Sequence, residues 1–193
     1  MRVNAKTLRR IADFAWAGRV VVFDTETTGG TRDDEICQLA AAEYRCGVLR
    51  QTLNLYLRPS CGMDPWAEAI HGLSLAFLEK NGMPPAEALD QFFTFLGNDV
   101  LLVAHNIRFD MGMLRQTCLK YDVTSEPVGV ETCDSLALAR HLRPGLDHYS
   151  LAALIRELCV DGVNSHDALD DTLACAGVFF TLLADHPSDR LFF

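Results

Sequence analysis

Apolar and polar residues repeat along this chain with two periods, and the switches between them divide it into elements. Residues 5–16 carry Leu8, Ile11, Ala12, Phe14 and Ala15 roughly on one side, which predicts a short amphipathic helix. Residues 19–25 are continuously apolar until Asp24 and predict a buried strand. Residues 36–45 and 48–57 flank Cys46-Gly47 and predict an antiparallel hairpin. Asp64 to Lys80 predicts short helices interrupted at His71-Gly72. Pro85 suits the first turn of a helix that runs to about Leu96. Asp99 to Ala104 predicts a short strand, Arg108 to Tyr121 a helix, and 128–132 another strand. Helices are expected near 134–142, 149–159 and 167–185. Strands come first and helices then interleave with strands, so the expected class is α/β, a mixed sheet covered by helices.

Several carboxylates stand on faces where apolar residues belong. Asp24 and Glu26 end the first strand, VVVFDTETTGG, two positions apart and therefore on one face. In the last helix the apolar stripe runs through Ala168, Cys175, Val178, Phe179 and Leu182, and Asp171 falls inside it, whereas Asp170 sits toward the edge. Asp110 opens a helix with Leu114 and Cys118 on its own side. His166 is five residues before Asp171, about 140° away on a helix at ~100° per residue. It belongs to the entering loop, with Asn164 or Ser165 as the expected N-cap. Taken alone, such a histidine reads as an ordinary surface residue. Four carboxylates buried together need a positive partner. Arg108 is the only basic residue within the motif strand ends and helix starts, so a divalent cation is the better partner, and all-oxygen ligands select Mg²⁺ or Mn²⁺.

Length and composition narrow the class. The 193 residues suffice for one sizeable domain, and 49% hydrophobic with 22% charged residues is ordinary for a folded chain. No apolar run reaches the ~20 residues that span a bilayer, and the first 19 residues lack the apolar core of a signal peptide. Seven cysteines, an odd number without a C-x-x-C pair, predict reduced, buried thiols in a cytoplasmic protein. The net charge of −9 argues against passive phosphate binding, which favours basic surfaces. Two bound divalent cations would add four positive charges and leave about −5, suited to transient contact with a strand end.

Five segments then occur in an order that resembles the DnaQ-like exonucleases, the group that includes the proofreading epsilon subunit of bacterial DNA polymerase III. They are F-D-T-E-T-T-G at 23–29, I-H-G-L-S at 70–74, A-H-N-x-x-F-D-x-x-x-L at 104–114, C-D-S-L-A-L-A-R at 133–140 and H-x-A-L-x-D at 166–171. The strand that begins Cys37-Gln38-Leu39-Ala40 carries smaller residues than that group often shows. The resemblance implies a ribonuclease H-like fold: a five-stranded mixed sheet in the order 3-2-1-4-5, strand 2 antiparallel, flanked by helices. It divides the chain into a helical extension at 1–18, an exonuclease domain at 19–185 and a tail at 186–193. The last five residues, Asp189 to Phe193, faintly resemble a sliding-clamp docking peptide without its leading glutamine.

By resemblance, Asp24, Glu26, Asp110 and Asp171 are metal ligands for two Mg²⁺ or Mn²⁺, and His166 is the general base of the DEDDh branch. Asp24, Glu26 and Asp171 would hold one ion, and Asp24 with Asp110 the other. The implied activity is 3′→5′ hydrolysis of single-stranded or frayed DNA, or of RNA, to nucleoside 5′-monophosphates, in proofreading or repair. Thr27, Thr28 and Gly29 would hold the terminal sugar and phosphate, and His71 and Phe109 would flank the terminal base. Phe109 reads equally as a core residue, and Asn106 as a substrate contact or a turn former. A polymerase or sliding clamp is a further possible partner. Two rivals remain: an aspartyl-phosphate phosphotransferase, with Asp24 as nucleophile, and a non-catalytic nucleic-acid scaffold. The first leaves His166 and Asp171 without roles.

Overall fold

The computed structural model describes residues 4–125 and 127–186. The first three residues of the expected extension and residues 187–193, with the clamp-like peptide, lie outside them. Helix α1 (Ala5–Ala17) starts where the Asn4 side chain accepts from Thr7 N and ends where Gly18 N donates to Phe14 O. Strand β1 (Arg19–Thr27), β2 (Ile36–Arg45) and β3 (Val48–Tyr56) follow. Next come α2 (Pro65–His71), α3 (Leu75–Asn81) and α4 (Pro85–Leu96), then β4 (Val100–Ala104) and α5 (Ile107–Lys120). The chain continues through β5 (Val130–Asp134), α6 (Ser135–Leu142), α7 (Leu151–Glu157) and α8 (Ala168–Ala184). The break between α2 and α3 falls at Gly72, whose φ of 73° is left-handed and suits a residue without a Cβ. No helix among the described residues is long and apolar enough to cross a membrane.

The strands form one sheet in the order β3-β2-β1-β4-β5. β2 runs antiparallel to β1 and β3, while β4 is parallel to β1 and to β5. Alternation along β1 sorts its side chains between two cores. Val20 and Val22 pack with α1, α6, α7 and α8, through residues such as Leu8, Leu138, Leu154 and Phe179. Val21 and Phe23 pack with α4 and α5, through Leu89, Phe92 and Met113. Asp24 and Glu26 continue the even series and so emerge on the α8 side as the core ends. The ends of β1 and β4 lie side by side at the point where the strand order reverses, the usual place for a binding crevice in such sheets.

Three elements differ from their expected bounds by two residues, the first being β1, which runs on to Thr27 instead of ending at 25. The fifth strand lies two residues later than 128–132, because its register comes from pairing Val100 with Val130 through Ala104 with Asp134. α7 is shorter than 149–159 at both ends, with Ser150 as its cap. The cysteines also depart from expectation: all seven are free, but only Cys37, Cys133 and Cys175 are buried, and Cys46 and Cys159 are exposed. The turn after β2 needs Cys46 and Gly47 at its surface, with φ of 52° and 74°.

Phe92 is fully buried and its ring centre lies 5.7 Å from that of Phe23, directly beneath the strand end that carries Asp24. Phe92→Ala is expected to destabilise the protein by about 3–5 kcal/mol, the usual cost of emptying a packed aromatic site. Denaturant unfolding monitored by circular dichroism measures it.

Candidate functional site

The cleft at the ends of β1 and β4 is built by three elements. β1 supplies Asp24 and Glu26, α5 supplies Asp110, and the start of α8 with its entering loop supplies Asp171 and His166. Together with Thr25, His105, Asn106, Phe109, Ser150, Leu151 and Asn164 they line a space of about 270 Å³. Ligand atoms of Glu26, His166 and Asp171 all lie within 4.8 Å of one another. The five residues singled out in sequence as acids and base therefore share one cleft.

Each side chain is held differently. Asp110 is buried and accepts a 2.9 Å hydrogen bond from Thr25 Oγ1, which joins α5 to β1. Asp171 accepts from Ser165 N at 3.0 Å and from Asn164 Nδ2, so the loop wraps its carboxylate. Its neighbour Asp170 is exposed and takes only Ser165 Oγ, at 2.8 Å, as the helix-face argument predicts. Asp24 and Glu26 accept no hydrogen bond from any described residue, and no ion pair among the described residues reaches the four acids. His166 is exposed at the mouth with φ of 59°, a left-handed backbone that few residues other than glycine adopt.

The electrostatic consequence is large. Burial, followed by the charges of Asp110, Glu26, Asp171 and Asp167, raises the Asp24 carboxyl well above its ordinary range. Burial and then Asp171, Asp110 and Asp167 push Glu26 to about 8. Asp110 rises to about 7 through burial, against the opposing bond from Thr25. Burial raises Asp171 as well, opposed by the Ser165 amide, His166 and Asn164. Every shift favours the protonated acid, so a bound cation would take the place of these protons. Oxygen donors with unused lone pairs, crowded by like charge, fit a hard divalent cation.

A second space of about 240 Å³ adjoins the first through Thr25, Glu26 and Phe109. Its other walls include Thr27, Gly29, Gly30, Asp64, Trp66, Ile70 and His71. Phe109 is 41% exposed and lines both spaces, so it is not a core residue. His71 Nδ1 accepts from Leu73 N at 3.0 Å, which leaves Nε2–H to donate to Thr27 O at 3.2 Å. Burial lowers the His71 pKa, which keeps the ring neutral. Gly29 is required by the turn: a Cβ there would come within 2.7 Å of the Asp34 carboxylate. Asn106 precedes α5 with φ of 67° and donates its amide to Asp134 Oδ1 at 3.1 Å, and it also lines the main cleft. Thr28 stands apart. It is fully buried, and its hydroxyl is engaged with Asp34 Oδ1 at 3.1 Å, Glu35 N at 3.0 Å and Cys61 Sγ at 3.2 Å.

The sequence reading missed some of this. The cap of α8 is Asp167, whose Oδ1 accepts from Leu169 N at 3.0 Å and Asp170 N at 3.3 Å, and not Asn164 or Ser165. Asn164 and Ser165 are spent on Asp171 and Asp170 instead. Asp167 was readable as a cap-competent residue. Trp66, 76% exposed on the rim, carried no signal beyond being aromatic.

The RNase_T exonuclease profile matches residues 21–179. The chain belongs to the RNase_T exonuclease family. The DNA polymerase III PolC-type of Oceanobacillus iheyensis is 34% identical over 167 residues, which are 84% of this chain and 11% of that protein. The 3′-5′ exonuclease DinG of Bacillus subtilis is 29% identical over 170 residues, 86% of this chain and 18% of that one. The chain thus spans under a fifth of these relatives. The solved structure of Exonuclease X in complex with 5′ overhanging duplex DNA superposes with a TM-score of 0.67 at 22% identity, covering 89% of this chain and 96% of that one. The common architecture is the ribonuclease H-like fold.

The raised carboxyl values have a measurable sign. Folded Glu26 and Asp110 hold protons that the unfolded chain releases near pH ~4. The folded state therefore binds more protons, and stability falls as pH rises through the folded values. Between about pH 6.5 and 8, above the range where His71 and His105 protonate on unfolding, the Tm of the protein in EDTA is expected to fall. Asp24→Asn should flatten this slope and raise Tm at pH 8 by about 2–4 °C, the shift that ~1 kcal/mol produces at this size. Scanning calorimetry checks both; a Tm that rises across the interval contradicts the assignment.

Proposed function

We propose that this chain is a metal-dependent 3′→5′ exonuclease that removes nucleoside 5′-monophosphates from single-stranded or frayed DNA ends, in proofreading or repair. The observation that carries the reading is the convergence of Asp24, Glu26, Asp110, Asp171 and His166 on one cleft, with Asp24 and Glu26 lacking any hydrogen-bond donor among the described residues. The names of the DinG and PolC-type relatives support the class of reaction, and Exonuclease X with an overhanging duplex supports a DNA end as substrate.

The residues would divide the work as follows. Asp24, Glu26 and Asp171 would hold one Mg²⁺ or Mn²⁺, and Asp24 with Asp110 a second. When bound, such ions polarise the phosphodiester and offset charge on the attacking and departing oxygens. His166, exposed at the mouth and beside Glu26 and Asp171, accepts the proton of the attacking water. The side space receives the terminal nucleotide. Phe109 and His71 offer faces to its base, which any base can use, and Trp66 extends that surface on the rim. Thr27 and Gly29 border its sugar and phosphate. Because the Thr28 hydroxyl is engaged inside the turn, Thr28 supports this wall from behind and does not contact substrate. A paired terminus must unstack to enter, which favours frayed ends.

The test uses a 5′-labelled single strand with Mg²⁺ or Mn²⁺. A ladder shortening from the 3′ end, stopped by EDTA, is expected; intact strands under both metals overturn the proposal. Asp24→Ala should abolish turnover with the circular dichroism spectrum retained. His166→Ala should slow it by roughly 10²–10⁴-fold, the usual size of a proton-transfer contribution. Matched DNA and RNA strands, compared by kcat/KM, test the preference for DNA.

A further inference from the structure

β2 contributes no residue to either space, yet one of its side chains reaches the start of α8. Gln38 is fully buried in the middle of an otherwise apolar run and is the cross-strand partner of Glu26. Both of its amide protons and its oxygen are engaged. Nε2 donates to Asp167 Oδ2 at 2.9 Å and to Asn54 Oδ1 at 3.0 Å, and Oε1 accepts from Ala168 N at 3.2 Å. Asp167 therefore uses one carboxylate oxygen to cap α8 and the other to grip the sheet. The residue before this cap is His166, and the first helical bond after it runs from Asp171 N to Asp167 O at 3.0 Å.

We infer that Gln38 is the positioning residue that fixes where α8 begins and so holds His166 and Asp171 in register with Asp24 and Glu26. Helix caps are ordinarily local, and a cap chosen among several competent residues can slip by one or two positions. Here Asn164, Ser165 and Asp167 all qualify. The core residues of α8 fix its rotation, but a cap set at Asn164 or Ser165 would draw residues 165–167 into the helix and break the loop that bonds Asp171 and carries His166. The paired amide of Gln38 rewards only the register that starts at Ala168. Its neutrality also matters, since an acid at this place would oppose Asp167 and Glu26.

The inference rests on the exonuclease reading for its kinetic test, and a second readout keeps the two separable. Gln38→Leu should lower kcat on the labelled strand by on the order of 10- to 10²-fold, as a misplaced reacting group does, with KM unchanged. Gln38→Glu should lose activity similarly, because it sets two carboxylates against each other. Gln38→Glu combined with Asp167→Asn inverts donor and acceptor. The new carboxylate accepts from Ala168 N and from the new amide, and Asn54 turns to donate. This double variant relieves the clash with residue 167 but not the charge beside Glu26, so it should recover much of the kcat lost in Gln38→Glu, which a mere filler of volume would not do. In parallel, hydrogen exchange at the Ala168, Leu169 and Asp170 amides should quicken in both single variants and slow again in the double. Wild-type kcat and exchange in Gln38→Leu, or a double variant no better than Gln38→Glu, overturns the inference. If Gln38→Leu does not fold, the Gln38→Glu pair still decides. If the wild type cuts no strand, the function fails while the exchange arm still rules on Gln38.

Discussion

Repulsion among buried carboxylates is the constraint on which this structure turns. The chain neutralises such groups elsewhere with its own side chains. Glu35 is fully buried and takes Lys120 Nζ and Tyr121 OH, each at 2.5 Å, together with Ser60 Oγ at 2.9 Å. Glu43 takes Arg19 at 2.6 Å, Arg45 at 2.8 Å and Gln51 at 2.5 Å. Both stay below the ordinary carboxylate range because these donors outweigh burial. At the end of β1 no described residue donates to Asp24 or Glu26, and their values move in the opposite direction. A fold that gives buried Glu35 and Glu43 its own donors, yet none among the described residues to Asp24 and Glu26, leaves that cleft open to a charge supplied from outside.

Holding the acids together demands rigid support, and the two cores provide it. The even residues of β1 are clamped under α8 and α1, and the odd ones over α4 and α5. Neither Asp24 nor Glu26 can turn away without moving a strand buried on both faces. Asp110 and Asp171 arrive on helices from the two sides of the sheet, each tethered by a short polar contact, Thr25 for one and the 164–165 loop for the other. His166 sits on that same loop, within reach of Glu26 and Asp171. The aromatic wall lies on the other flank, where β1 ends and α2 begins. Acidic and aromatic surfaces are thus adjacent but separate, an arrangement that suits the proposed cleavage of a phosphodiester beside a stacked base.

The legible parts of the site were those governed by local period. Asp24 and Glu26 share a face because strands alternate. Asp171 and not Asp170 points inward because helices repeat every 3.6 residues. The turn residues were less legible. Thr28 follows the motif as closely as Thr27, and the fold spends both hydroxyls inside the turn, Thr27 on Gly29 O and Thr28 on Asp34 and the Glu35 amide, yet only Thr27 borders the side space. Phe109 could have packed in the core or faced solvent; the helix start at Ile107 turns it into the cleft.

The sequence by itself determined the α/β class, the order of the elements and the identity of the clustered acids, since each follows from spacing within a dozen residues. Tertiary structure alone decided the register of β5, which copies that of β4, and the start of α8, which Gln38 selects from 129 residues away in sequence. It also decided which cysteines are buried and which threonine faces the cleft. These features depend on partners that are distant along the chain, and no local periodicity encodes them.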